Sequence, residues 1–364
     1  MPPPGTGSAE RDTVLVFGAG ASYGARPEVE CGPPLGTALA AYLLQWLEVN
    51  RPRRRVGRLL IDDDDEQDAP DSRLWDDYKE LRPILEQARD SGEPNAFELA
   101  LADLGNAGRV GLLDSLNRIL AVSFLGGKAC AFREGEDLYD RLFRAFGARL
   151  RAIVTPNYDL LAEEALHRVG VPPWHAGTTN PPASVAVYKI HGSVNFAQVP
   201  GGAGGATLET AQRNMKSLQL REQRPFASGY NAHPLYTIAG SHRNVFLHQN
   251  DVGRYRPVMV TYGPAKPAVW GLPYLERIRE ACRADLEGSP PHKIIAVGIR
   301  PPLDDSGADD PTWLGLCRLF EGLPSSKAYW SGNVGERNEM ARFGFVGRDG
   351  WFADLVKSVE SGVE

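Results

Sequence analysis

Thr13-Val14-Leu15-Val16-Phe17-Gly18-Ala19-Gly20-Ala21-Ser22 decides how this chain is read. The five residues before Gly18 are apolar or β-branched, the composition of a strand buried on both faces of a parallel sheet. Gly18 and Gly20 follow at once, where glycine permits a tight turn and close approach of neighbouring backbone. Strand, glycine turn and helix in that order predict the first βα unit of an open α/β sheet. The N–H groups at such a helix start favour an anionic pyrophosphate. Turns of this composition also occur with no ligand, and the spacing Gly18, Gly20, Gly24 is one residue wider than the dehydrogenase fingerprint. That fingerprint further needs a second strand ending in an acid about 20 residues on. Thr37 to Leu47 is instead rich in Ala and Leu and predicts a helix.

Two more segments share this grammar. Arg151-Ala152-Ile153-Val154-Thr155 predicts a strand, Leu160 to Arg168 a helix, and Pro156-Asn157-Tyr158-Asp159 the turn between them. Ser184 to Ile190 predicts a third strand with His191-Gly192-Ser193 at its carboxyl end. The carboxyl ends of parallel strands line one crevice, so the three turns are expected to meet around one ligand. Together they would offer a phosphate cradle, an amide, a carboxylate and an imidazole. Taken singly, each residue has an ordinary alternative: Asn and Asp in such a turn cap the next helix, and a lone His is more often packed than reactive. Lys293 to Gly298 predicts a fourth strand, followed by Ile299-Arg300-Pro301-Pro302-Leu303-Asp304.

In order, the GAGAS at 18–22, the TPNYD at 155–159 and the KIHGS at 189–193 resemble the sirtuin superfamily. The likeness is to its bacterial zinc-less sirtuin-like branch, many of whose members hydrolyse NAD in anti-phage defence. It covers residues 12–40 and 150–305, roughly. The resemblance implies an α/β fold, a Rossmann-like parallel sheet with an inserted helical subdomain, and NAD+ as the substrate. By the same likeness, Asn157 would hold the attacking water or the ribose near the anomeric carbon. Asp159 would accept a hydrogen bond from the carboxamide, and His191 would act as general base. Gly18, Ala19, Gly20, Ala21 and Ser22 would hold the pyrophosphate, with Thr155, Gly192, Gly298 and Arg300 also at the nucleotide. The Ser usual in the fourth turn is absent from Gly298-Ile299-Arg300. Other outcomes on the same scaffold are an ADP-ribosyl transferase or cyclase, and a non-catalytic NAD or ADP-ribose sensor.

Composition narrows the setting. The chain has 364 residues, 42% of them hydrophobic, enough for a sizeable core and an insertion. A formal net charge of -6 gives no electrostatic footprint for nucleic acid. No apolar run approaches membrane-spanning length, and Met1-Pro2-Pro3-Pro4-Gly5 lacks the regions of a signal peptide, so a cytoplasmic protein is expected. Cys31, Cys130, Cys282 and Cys317 form no C-x-x-C pair, which rules out the zinc ribbon of protein-deacylating sirtuins and favours buried reduced thiols. His167, His175, His233, His242, His248 and His292 lack metal-ligand spacing. Neither zinc nor a cofactor beyond NAD+ as substrate is expected.

Organisation follows from composition shifts. Residues 1–11 read as a tail, 12–50 and 150–364 as the nucleotide-binding core, and 51–149 as a charged loop and helical insertion. Opposite charge blocks at Arg51 to Arg55 and Asp62 to Glu66 predict a solvated loop. Helices are predicted over Phe97 to Leu104, Val110 to Leu125 and Asp137 to Leu150, either as a lid on the crevice or as simple covering of the sheet. Pro200 to Ala206 predicts a flap beside His191, or disorder. Later elements are strands at Arg256 to Thr261 and Ser326 to Trp330, and helices at Leu272 to Leu286, Asp310 to Phe320 and Trp351 to Val359. An unrestrained NAD hydrolase needs a gate, and little of the chain remains for a sensor. Self-assembly as a homo-oligomer or a separately encoded partner protein is therefore expected.

Overall fold

The computed structural model describes residues 11–25, 36–49, 53–56, 59–62, 72–93, 96–126, 137–175, 184–198, 220–222, 235–238, 256–259, 273–302 and 311–364. Its amino-terminal part runs β1 (Thr13–Phe17), α1 (Ala19–Tyr23), α2 (Gly36–Val49), β2 (Arg53–Val56), β3 (Leu59–Asp62), α3 (Ser72–Asp90), α4 (Ala96–Asn106) and α5 (Val110–Gly126). The middle comprises α6 (Leu138–Phe146), β4 (Leu150–Thr155), α7 (Leu161–Arg168), β5 (Pro173–His175), β6 (Val185–Lys189) and β7 (Gly192–Gln198). Three short strands follow, β8 (Leu220–Glu222), β9 (Leu235–Ile238) and β10 (Arg256–Met259). The chain then continues through α8 (Pro273–Gly288), β11 (Lys293–Val297), α9 (Pro311–Gly322), β12 (Ser326–Trp330), α10 (Val334–Ala341), β13 (Val346–Arg348) and α11 (Phe352–Glu360).

Seven strands form one sheet in the order β13-β12-β11-β1-β4-β6-β5, with every neighbouring pair parallel. This is the expected Rossmann-like α/β architecture. Strand order reverses at β1: later strands first extend the sheet through β4 and β6, then the chain returns to lay β11 on the other side of β1. The crevice at such a reversal is where open α/β sheets bind ligands. Register aligns the strand ends, since Phe17 pairs with Val297, Val16 with Val154 and Thr155 with Lys189. Gly298, Gly18, Pro156 and Ile190 therefore leave the sheet side by side.

Alternation along the strands builds two apolar layers. Leu15, Phe17, Ile153, Val187 and Val297 face α6, α7 and α11. Val14, Val16, Val154, Tyr188 and Ala296 face α8 and α9. Fully burying one such Leu, Val or Phe contributes about 1.5–3 kcal/mol. Phe17 and Tyr139 meet edge to face at 5.1 Å, which fixes α6 on the sheet. Although the sequence groups α6 with the insertion at 51–149, its buried face, Tyr139, Leu142, Phe143 and Phe146, packs on this core.

A third cluster joins α2, α3, α4 and α5. In α3, the buried residues Tyr78, Leu81, Leu85 and Ala88 recur at helical spacing and face α2 and α5. This helix was not foreseen, because Pro83 and its many charges mask the period. The helical layer also packs on Leu160, at the end of the turn after β4, and on Val194, early in β7. A four-stranded sheet, β10-β7-β9-β8, lies under α5. The expected charged loop contains instead an antiparallel hairpin, β2 with β3, whose register sets Arg53 opposite Asp62. Val56 and Leu59-Leu60-Ile61 supply the strand propensity that the charge blocks obscure. Asp63 to Glu66 and Gly201 to Ala206 lie outside the described residues, as do Leu303, Asp304, Cys31 and Cys130. Among the described residues, no helix is long and apolar enough to cross a membrane.

Candidate active site

Three turns that leave the sheet together carry the predicted residues. After β1, the chain bends so closely against the turn after β11 that a Cβ on Gly18 would overlap the Gly298 carbonyl oxygen. Gly298 adopts φ 65°, and a Cβ there would overlap the Ala21 nitrogen. Only glycine satisfies both conditions. Gly18 N–H donates to Val297 O at 3.1 Å and Gly20 N–H to Gly298 O at 2.9 Å, so the two turns are stitched by backbone. Ala21 N–H donates to Gly18 O at 3.0 Å. The glycines thus first serve backbone packing, and exposed Ala19 stands at the mouth of the turn.

The turn after β4 is bound to the first. Thr155, buried at the strand end, donates its hydroxyl to Phe17 O at 2.8 Å and accepts from Asn157 N–H at 3.0 Å. Asn157 is 8% exposed, and its Nδ2 donates to Gly18 O at 2.9 Å and to Ser22 Oγ at 3.1 Å. A carbonyl oxygen can only accept, so this contact fixes which end of the amide faces it. Both amide protons are committed, and Oδ1 is the end left for an external donor. Ser22, buried, also lies 3.0 Å from the Tyr139 hydroxyl.

Asp159 is 5% exposed, and its Oδ1 accepts from Leu161 N–H at 3.1 Å, the turn-closing role open to any Asp at this position. Burial pushes its carboxyl above the usual range, with the Lys189 ammonium and the Leu161 amide pulling the other way. Burial likewise holds the Tyr139 phenol far above its ordinary value, with the Asp159 charge adding to the rise. Tyr139 is therefore a neutral hydrogen-bonding group in this network.

The third turn is zipped to the second. Ile190 N–H donates to Thr155 O at 3.1 Å, and Val194 N–H donates to Tyr158 O at 3.1 Å. His191, 8% exposed, sits between these bonds, and Gly192 makes the corner into β7 at φ 84°. Arg279 of α8 donates from Nε to Ile190 O at 3.1 Å, bracing the same corner from the opposite layer. Arg300 is exposed beyond Gly298, and its carbonyl accepts from Trp313 Nε1–H at 2.9 Å.

Asn157 and Ser22 are thus bonded into the Gly18 turn, which is stitched to the Gly298 turn, while Asp159 and His191 stand buried on the adjoining turns after β4 and β6. Ser22, Tyr139, Lys189, Glu163 and Arg279 hold these turns together. Of these, Tyr139, Glu163 and Arg279 left no signal in the sequence, since each reads as an ordinary helical residue. Lys189 had one: a charge ending an otherwise apolar strand. A cavity of about 410 Å³ between α3 and α4, lined by Ala96, Ala100, Leu104 and Arg109 among others, involves none of the predicted residues. Among the described residues, no group of three or more His, Cys, Asp and Glu is placed to hold a metal ion. Cys282 and Cys317 are buried reduced thiols, and burial raises the Cys282 thiol. A scan of the chain against protein-family models gives no match, and a search of curated proteins gives none.

Proposed function

We propose that the chain is an NAD+ glycohydrolase that cleaves the nicotinamide–ribose bond to give nicotinamide and ADP-ribose. One observation supports the reading: the turns carrying Asn157, Asp159 and His191 leave adjacent strands at the carboxyl edge of the sheet, and Asn157 is hydrogen-bonded to the Gly18 turn at the reversal where open α/β sheets take nucleotides. The ordered resemblance of the three turns to zinc-less sirtuin-like proteins agrees with it.

In this reading the ribose sits over Asn157, whose Oδ1 accepts a hydrogen bond from the attacking water or a ribose hydroxyl. Nicotinamide leaves as a neutral base from a cationic substrate, so the step needs little acid catalysis and passes through an oxocarbenium-like state. The water oxygen bonds to the anomeric carbon as the carbon–nitrogen bond breaks, and His191 takes the proton released. An imidazole suits that role because its ordinary pKa lies near working pH. Asp159 accepts the carboxamide N–H. The pyrophosphate lies at the mouth of the Gly18 turn, where Ala19 is exposed, on the side of the Gly298 turn that carries Arg300. Buried polar groups held this firmly are preorganised to stabilise developing charge.

The cellular role we propose is depletion of NAD+ by a cytoplasmic effector of bacterial anti-phage defence. Its gate would act through α2–α5, which pack on Leu160 and Val194 next to the reactive turns. Assembly of several chains or a partner protein would supply the trigger. The deciding experiment is incubation of the purified chain with NAD+ over a range of protein concentrations, followed by chromatography. Equal amounts of nicotinamide and ADP-ribose are expected, with specific activity rising as the chain assembles or as a partner is added. Nicotinamide without ADP-ribose would assign a transferase or cyclase. Binding without nicotinamide release at any concentration, with every partner tried, would assign a sensor.

A further inference from the structure

Lys189 ends β6 with a buried charge. The four residues before it, Val185 to Tyr188, are apolar or aromatic and buried, yet the Lys189 side chain is only 1% exposed. It follows Val185 and Val187 on the face of β6 covered by α7, and it stands two residues before His191. Its ammonium donates to the main-chain carbonyl of Asp159. The same nitrogen lies 3.2 Å from Glu163 Oε1 in the first turn of α7, where the Glu163 side chain is 7% exposed. Neither Glu163 oxygen has a hydrogen bond of good geometry. The ion pair with Lys189 is the charge contact that offsets its burial.

A buried ammonium and carboxylate cost desolvation, and an apolar pair of similar volume would serve stability as well or better. What the pair does here is join two pieces of the site. It ties the turn bearing Asn157 and Asp159 to the strand that delivers His191, and it anchors that turn to the helix following it. We infer that Lys189 is a positioning residue, clamping the Asn157–Asp159 turn against the His191 strand through the Asp159 carbonyl and Glu163. The clamp follows from geometry alone, while its effect on turnover rests on the NAD+ reading above.

Lys189→Met alone strands the Glu163 charge and is expected to unfold the chain, so the test pairs it with Glu163→Leu in the full-length protein. Amide hydrogen exchange at residues 157–161 is expected to quicken at least about tenfold in this double variant, with β11 and β12 unchanged. For NAD+ hydrolysis, kcat is expected to fall at least about tenfold at unchanged KM, because a loosened turn misplaces groups without removing a substrate contact. Unchanged exchange at 157–161 overturns the clamp. Faster exchange with unchanged kcat overturns its positioning role. Faster exchange in a chain whose wild type never releases nicotinamide leaves the clamp standing and overturns the NAD+ reading instead. A measurement on the wild type needs no variant: the Lys189 ammonium should give a slowly exchanging nitrogen-15 resonance, and a freely exchanging one would sink the inference.

Discussion

Asn157 Nδ2 lies 2.9 Å from the carbonyl oxygen of Gly18, joining the turn after β4 to the turn after β1 across 139 positions of sequence. The bond sets the plane of the amide and therefore the direction of Oδ1. It makes Asn157 a structural residue, and the chemical role proposed for it separates from that one by experiment.

Asn157→Ala removes the donor to Gly18 O and Ser22 Oγ and is expected to cost about 1–3 kcal/mol, read by urea unfolding. Nicotinamide release should fall about 100-fold or more, beyond what the stability loss explains. Asn157→Asp should be less stable still, since a carboxylate oxygen would face a carbonyl. An alanine variant with wild-type turnover would remove Asn157 from the chemistry.

The corner that carries His191 is held by backbone, through the Ile190 and Val194 amides and the left-handed Gly192. His191→Ala should keep the circular dichroism spectrum of the parent and lose about 100- to 10,000-fold in nicotinamide release. A rate near wild type would exclude it as the general base.

The glycine contact predicts a contrast between two positions of similar φ. Gly298→Ala combines a left-handed backbone with overlap on Ala21, so it should cost more than the about 1–3 kcal/mol that strain alone carries, or prevent folding. Gly362 has φ 73° with open space around it, and Gly362→Ala should cost only the strain. Equal losses at the two sites in denaturant titrations would mean that the packing of the β1 and β11 turns matters little.

Glu364 titrates in a direction that can be followed. Burial opposes its ionisation, but Lys293 Nζ at 2.6 Å and Arg348 Nε at 2.8 Å outweigh that, and its carboxyl falls below the ordinary range. The unfolded chain then binds the proton more readily, so this group stabilises the fold above the ordinary glutamate pKa. The contribution disappears as pH falls through the lowered folded value. Glu364→Gln should therefore lose stability near neutral pH, and the deficit should shrink as pH falls below the ordinary glutamate range and through the lowered folded value. A deficit that stays constant with pH would show the ion pairs to be idle.

Most of the sheet was legible because its inner strands are largely apolar runs, and β1 and β11 end directly on glycine, whereas β5 (Pro173–His175) is too short to show a pattern. Thr13–Phe17, Leu150–Thr155, Lys293–Val297 and Ser326–Trp330 stand within a residue or so of where their composition put them. The turns after these strands were legible as turns for the same reason, since the apolar run stops abruptly at them. What the sequence hid was support. Tyr139 reaches Ser22, and Glu163 faces Lys189, from helices whose local pattern speaks only of amphipathicity. The role of α6 was hidden too, because one apolar stripe does not name the surface it covers. Val346–Arg348 is a three-residue, exposed edge strand with too little apolar pattern to announce itself.

Thr13 at the start of β1 takes Lys293 as its parallel partner on one side and Leu150 on the other. Synthesis delivers β1 first and β11 late, so the first strand waits for most of the chain before its second edge is filled. Until then the Gly18 turn lacks the Gly298 backbone it leans on, and the crevice has no far wall. A nascent or prematurely terminated chain would consequently lack a completed crevice: the order of strands in the sheet makes the last wall of the site one of the last parts of the chain to be synthesised.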